Sequence, residues 1–106
     1  MDGVFLIDKP SGLSSFDVIR KLRCRFPHQK MGHLGTLDPL ATGLLLTCLG
    51  KATKLAQFLS GWDKEYVAQI KLGTSTDTWD REGNVLETLP NPAVTEEEVA
   101  QAVKQL

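Results

Sequence analysis

The sequence predicts an α+β fold, with a mixed, largely antiparallel sheet and flanking helices. Three observations point there. Short apolar or alternating runs of strand length recur at Gly3–Asp8, Leu44–Leu49 and Tyr66–Leu72. Segments of helical period stand between and after them. Glycine and proline breakers separate the two kinds at irregular intervals, which argues against a regular βαβ repeat.

The elements follow in order. Gly3 to Asp8 is an apolar run closed by Lys9-Pro10-Ser11-Gly12, a strand and then a turn. Ser14 or Ser15 offers an N-cap, with Asp17 in the first turn. Phe16, Ile19, Leu22 and Phe26 recur at helical spacing with Val18 beside them, and Pro27 stops the helix. Its opposite face is basic. Residues 30–43, rich in Gly, Thr and Pro, read as a loop, and Leu44 to Leu49 as a buried strand. Ala52 to Ser60 reads as a short helix ended by Gly61.

Tyr66, Ala68, Ile70 and Leu72 alternate with Val67, Gln69 and Lys71, a strand pattern. A polar stretch, Gly73 to Gly83, leads to a second short strand around Asn84 to Leu89, so these two strands are expected to be neighbours. Pro90-Asn91-Pro92 breaks the chain. Thr95-Glu96-Glu97-Glu98 is a capping box for a last helix that runs to Leu106 without a stop signal. That ending suggests truncation of a longer protein.

The chain has 106 residues, enough for one small domain, and a formal net charge of −1. The charge is unevenly spread. Residues 1–60 carry 8 Lys/Arg against 4 Asp/Glu, and residues 61–106 carry 4 against 9. No acid occurs from Val18 to Leu37, where Arg20, Lys21, Arg23, Arg25 and Lys30 lie. Such a stretch fits an anion-facing surface, or equally a solvated helix face. Cys24 and Cys48 match no zinc or redox spacing and suit idle thiols in a reducing cytoplasm. The N-terminus is too short and too acidic for a signal peptide, and no apolar stretch approaches a membrane span.

The chemistry concentrates in Gly32-His33-Leu34-Gly35-Thr36-Leu37-Asp38-Pro39-Leu40-Ala41-Thr42-Gly43. Three glycines and a proline dictate an irregular backbone, and loops of this kind often carry function. One acid, Asp38, stands between Leu37 and Leu40. Two readings fit the residues alone. The carboxylate is partly desolvated and reactive, or it caps a turn, as Asp-Pro pairs commonly do. Asp77 and Asp80 form a second acidic pair. Acid/base work or a cation loop is conceivable there, but fixing the polar loop through backbone hydrogen bonds is the simpler role.

The string GHLGTLDPLATGLL resembles the motif that holds the catalytic aspartate in TruB-type pseudouridine synthases and their dyskerin relatives. Three further segments are similar to that family's motifs in order and spacing: Asp8 to Ser15, Lys64 to Ala68, and Leu72 to Gly83. The resemblance covers residues 3 to about 90. It implies that residues 1–106 are the N-terminal portion of a pseudouridine synthase catalytic domain. It also implies isomerisation of a uridine to pseudouridine in RNA, most naturally in the T-loop of tRNA, without metal or organic cofactor.

By the same resemblance Asp38 is the catalytic carboxylate, Tyr66 stacks on the flipped base, and His33 helps to accommodate the everted nucleotide. Lys9 and Pro10 brace the catalytic loop, with phosphate contact a second option for Lys9. Gly35, Thr36, Leu37 and Gly43 support the motif. The family's catalytic domain continues further, with an arginine that pairs with the aspartate, another apolar pocket wall and often a PUA domain. The implied enzyme is cytoplasmic, with a monomer favoured. A non-catalytic RNA-holding module is the alternative that the basic helix supports. A carboxylate glycosidase is weaker, because Asp38 has no evident acid partner.

Overall fold

The computed structural model describes residues 1–90 and 92–106. The chain divides into two compact units, Met1–Lys64 and Glu65–Leu106.

The first unit is built on a three-stranded sheet. Strand β1 (Gly3–Lys9) and strand β2 (Met31–Leu34) flank the central strand β3 (Gly43–Leu49), and both pairings are antiparallel. The register places Lys9 opposite Gly43, Phe5 opposite Thr47 and His33 opposite Thr47. Strand β2 falls inside the segment expected as a loop. It lacks an alternating pattern, since Met31-Gly32-His33-Leu34 is half-buried throughout, so only the pairing with β3 reveals it.

Helix α1 (Ser15–Arg25) follows β1. Ser14 is its N-cap: the Ser14 hydroxyl accepts from the Asp17 N–H, and the Asp17 carboxylate accepts from the Ser14 N–H. At the far end the Phe26 N–H reaches the Leu22 carbonyl just before Pro27. The core is formed by Val18 and Ile19 of α1 with Leu45, Cys48, Leu49 and Ala52. Phe5 and Phe26 add a tilted ring pair with centroids 5.5 Å apart.

One member of the expected apolar stripe departs from it. Phe16 is 53% exposed. At 100° per residue it lies about 60° around the helix from Ile19, on the side away from Val18, and so leaves the buried face.

After β3 comes a 3-10 helix (Gly50–Leu55) that runs into helix α2 (Ala56–Leu59). The expected single helix is thus mostly 3-10, and it starts two residues earlier.

The second unit carries a two-stranded antiparallel ribbon, β4 (Thr74–Thr76) with β5 (Val85–Thr88), and helix α3 (Glu96–Lys104). The expected strand over Tyr66–Leu72 does not form. Residues 63–71 have no regular structure, and Val67 and Ile70 are 93% and 76% exposed. An alternating segment becomes a strand only when another strand supplies its hydrogen bonds, and β5 pairs instead with β4. Asp77 takes the Asn84 N–H and side-chain amide, while Asp80 takes the Thr78 hydroxyl and the Glu82 N–H. These carboxylates fasten the ribbon's loop.

The Thr95 hydroxyl caps α3 by accepting from the Glu98 N–H, and the helix ends at Lys104, two residues short of Leu106. The break expected at Pro90-Asn91-Pro92 includes Asn91, which lies outside the described residues. No helix is long and apolar enough to cross a membrane.

Candidate active site

Residues 35–42 connect β2 to β3 and carry Asp38 near their middle. The backbone enters and leaves through two glycines that other residues would not easily replace. Gly35 has φ +67 and Gly43 φ +125, both in the region that L side chains seldom adopt. At Gly35 a Cβ would meet only the Lys64 Cε at 3.8 Å, so the constraint there is backbone conformation rather than space.

Between those hinges the loop is held from the segment that joins β1 to α1. Lys9 is fully buried, which is rare for a lysine without compensation. Its ammonium donates to the carbonyls of Leu13 at 2.7 Å, Pro10 at 2.9 Å and Pro39 at 3.2 Å. Those bonds use all three of its N–H donors and leave none for a phosphate. The Gly12 N–H also donates to the Pro39 carbonyl, at 2.7 Å. The Ser11 hydroxyl donates to the Leu40 carbonyl.

On the other side of Asp38, buried Ser15 holds both ends of one residue. Its hydroxyl donates to the Leu37 carbonyl at 3.1 Å and accepts from the Leu37 N–H at 3.0 Å. Residues 37, 39 and 40 are therefore each fixed through main-chain atoms. Within the loop, the Ala41 N–H closes a turn on the Asp38 carbonyl at 2.9 Å.

The turn is thus closed by backbone alone. Among the described residues nothing donates a hydrogen bond to the Asp38 carboxylate, and the residue is exposed. This geometry departs from both sequence readings: the carboxylate neither caps the turn nor sits desolvated within this chain. An exposed carboxylate on a fixed backbone is free to meet an incoming ligand.

His33, on β2, is half-buried and faces Thr47 across the ladder. The His33 Nδ1 and the Thr47 Oγ1 are both buried, and neither has a hydrogen-bond partner. Thr36 is exposed, Leu37 is half-buried, and Pro10 contributes its carbonyl to Lys9. All these residues belong to the first unit. Tyr66 belongs to the second, outside regular structure and 66% exposed. Among the described residues no three His, Cys, Asp or Glu side chains gather as a cation cage.

Sequence reasoning missed Ser11, Gly12 and Ser15 as holders of the loop. A signal for Ser15 existed in the Ser14-Ser15 pair. Only one serine can be the N-cap, and the other points its hydroxyl elsewhere.

Comparison with known proteins gives this geometry a family. The chain is 48% identical over 103 residues to a tRNA pseudouridine synthase B of Opitutus terrae, covering 97% of this chain and 43% of that protein. It is 57% identical over 88 residues to one of Haemophilus influenzae strain PittEE, covering 83% and 29%. One of Mycobacterium sp. strain KMS is 46% identical over 104 residues, covering 98% and 35%. The chain thus spans less than half the length of these relatives. Residues 23–106 also match the family model described as TruB family pseudouridylate synthase, N-terminal domain. With the fold and the Asp38 loop in hand, that match over most of the chain shows that it belongs to the TruB family of pseudouridylate synthases.

Proposed function

We propose that this chain is part of an RNA uridine isomerase in which Asp38 is the reacting carboxylate and a T-loop uridine of tRNA the substrate. The observation that carries the reading is the Asp38 carboxylate itself, unclaimed by any described side chain, on a loop gripped at Leu37, Pro39 and Leu40. Family membership and the relatives' names, tRNA pseudouridine synthase B, support the substrate class.

The reaction is an isomerisation. The bond from N1 of uracil to C1′ of ribose breaks, the base rotates, and a bond from C5 to C1′ forms. The C5 proton leaves and N1 gains one, so no oxidant or reductant takes part. A preorganised carboxylate serves this chemistry as nucleophile or base. The uridine must leave its stack first. Tyr66 then offers the base an aromatic face, and His33 helps to accommodate the everted nucleotide. Lys9, Pro10, Gly35, Thr36, Leu37 and Gly43 hold the loop in position. The reading needs no cofactor and takes the full-length enzyme as a cytoplasmic monomer.

The test is Asp38→Asn in the full-length protein, assayed for pseudouridine in an unmodified tRNA transcript. Product formation is abolished while tRNA binding stays near wild type. Undiminished product overturns the reading.

A further inference from the structure

Phe16 is the starting point, because the residue is about half exposed where helical spacing had placed it in the core. It is not bare. The Arg20 guanidinium carbon lies 5.6 Å from the ring centroid, and that of Arg23 lies 5.9 Å away. Residues 16, 20 and 23 follow the i, i+4, i+7 line of one helix flank. One exposed ring therefore gathers two guanidinium groups that would otherwise repel each other and wander.

The acidic compensation is thin. Asp17 pairs with Arg20, whose side chain is still 65% exposed. Among the described residues Arg23 has no ion pair. Lys21 and Arg25 are exposed farther around the same helix, and no acid follows Asp17 until Asp38. Two arginines held side by side in water over an aromatic face carry a standing positive charge with little internal partner. Planar guanidinium donors match phosphate oxygens bidentately.

We propose that the Phe16–Arg20–Arg23 flank of α1 is an RNA-backbone contact surface, with Phe16 holding the two guanidinium groups in place for phosphates. The proposal rests on the tRNA substrate reading above. It adds a surface that the isomerisation chemistry does not use. Holding the arginines beforehand lowers the ordering cost of binding.

The experiment measures equilibrium binding of the full-length protein to an unmodified tRNA transcript across a salt series. Each phosphate contact adds roughly 0.7–0.9 to the slope of log affinity against log salt. Arg23→Gln, which leaves the Asp17–Arg20 pair intact, weakens binding several-fold and flattens the slope by about one contact's worth. Arg23→Lys keeps the charge and restores the slope. Phe16→Leu weakens binding while the slope stays near wild type, because the charges remain but are no longer held. An unchanged slope in Arg23→Gln overturns the proposal, and so does wild-type affinity in Phe16→Leu. These readouts do not involve product. If Asp38→Asn still yields pseudouridine, the catalytic reading fails while the salt series judges this surface separately.

Discussion

Lys9 and Pro39, thirty residues apart in sequence, are joined by a hydrogen bond of 3.2 Å from the buried ammonium to the carbonyl that follows Asp38. The same ammonium holds Pro10 and Leu13, so the start of the α1 segment and the Asp38 loop share one fastening point.

Replacing Lys9 tests that fastening. Lys9→Met keeps much of the buried stem but leaves the Leu13, Pro10 and Pro39 carbonyls without this donor. An unsatisfied buried polar group costs about 1–3 kcal/mol, and Pro39 retains its bond from Gly12. The expected loss is about 2–4 kcal/mol of stability, read by denaturant unfolding of the full-length protein, with a fall in turnover. Wild-type stability in Lys9→Met would show that the three bonds count for nothing.

Ser15 holds the other side of Asp38, and among the described residues its hydroxyl hydrogen-bonds with Leu37 alone. Ser15→Ala removes a donor and an acceptor together, for an expected loss of about 1–2 kcal/mol. If Asp38 is the reacting group, kcat falls and KM for tRNA changes little, since the Ser15 hydroxyl is buried and spent on positioning the loop. Steady-state kinetics on a tRNA transcript separate the two. A rise in KM at constant kcat contradicts the assignment.

Asp17 gives a pH dependence. The Arg20 guanidinium, then the Ser14 N–H and hydroxyl, hold its carboxyl down at about 2, below its ordinary 3.8. A carboxyl depressed in the folded state stabilises fully above the unfolded value. That contribution is lost as pH falls through the folded one. The start of α1 therefore holds its capping box down to pH near 4 and loosens between about 4 and 2. An NMR titration that follows the Asp17 carboxyl and the Ser14 amide checks this. A midpoint at the ordinary carboxylate value overturns it.

The first unit was largely legible in sequence. The apolar run of β3, the turn after β1 and the stop at Pro27 each have one local cause, and each stands where that cause puts it. Strand β2 did not show, because Met31 to Leu34 belong to a strand only through β3. Tyr66 to Leu72 failed in the opposite way: their alternation is strong, but alternation supplies no hydrogen-bond partner. At the site, the glycines, the proline and Asp38 announced an unusual loop. What fixes it was less visible: the family resemblance pointed to Lys9 as a brace, but Gly12 and Ser15 act on main-chain atoms 27 and 22 residues away, with no local pattern to show it. Phe16 shows the limit of a periodic pattern, which counts a residue as inward without knowing where the buried face ends.

Among the described residues the hydrogen bonds that grip the loop fall on its amides and carbonyls, and none falls on the Asp38 side chain. The loop's shape is therefore indifferent to which side chain stands at position 38. Substitutions there remove the functional group and leave the scaffold as it was, which makes Asp38 a clean target for dissecting chemistry apart from architecture. Chemistry and architecture are thereby separated at exposed Asp38, whereas Gly35, by its backbone conformation, and half-buried Leu37 belong to the frame.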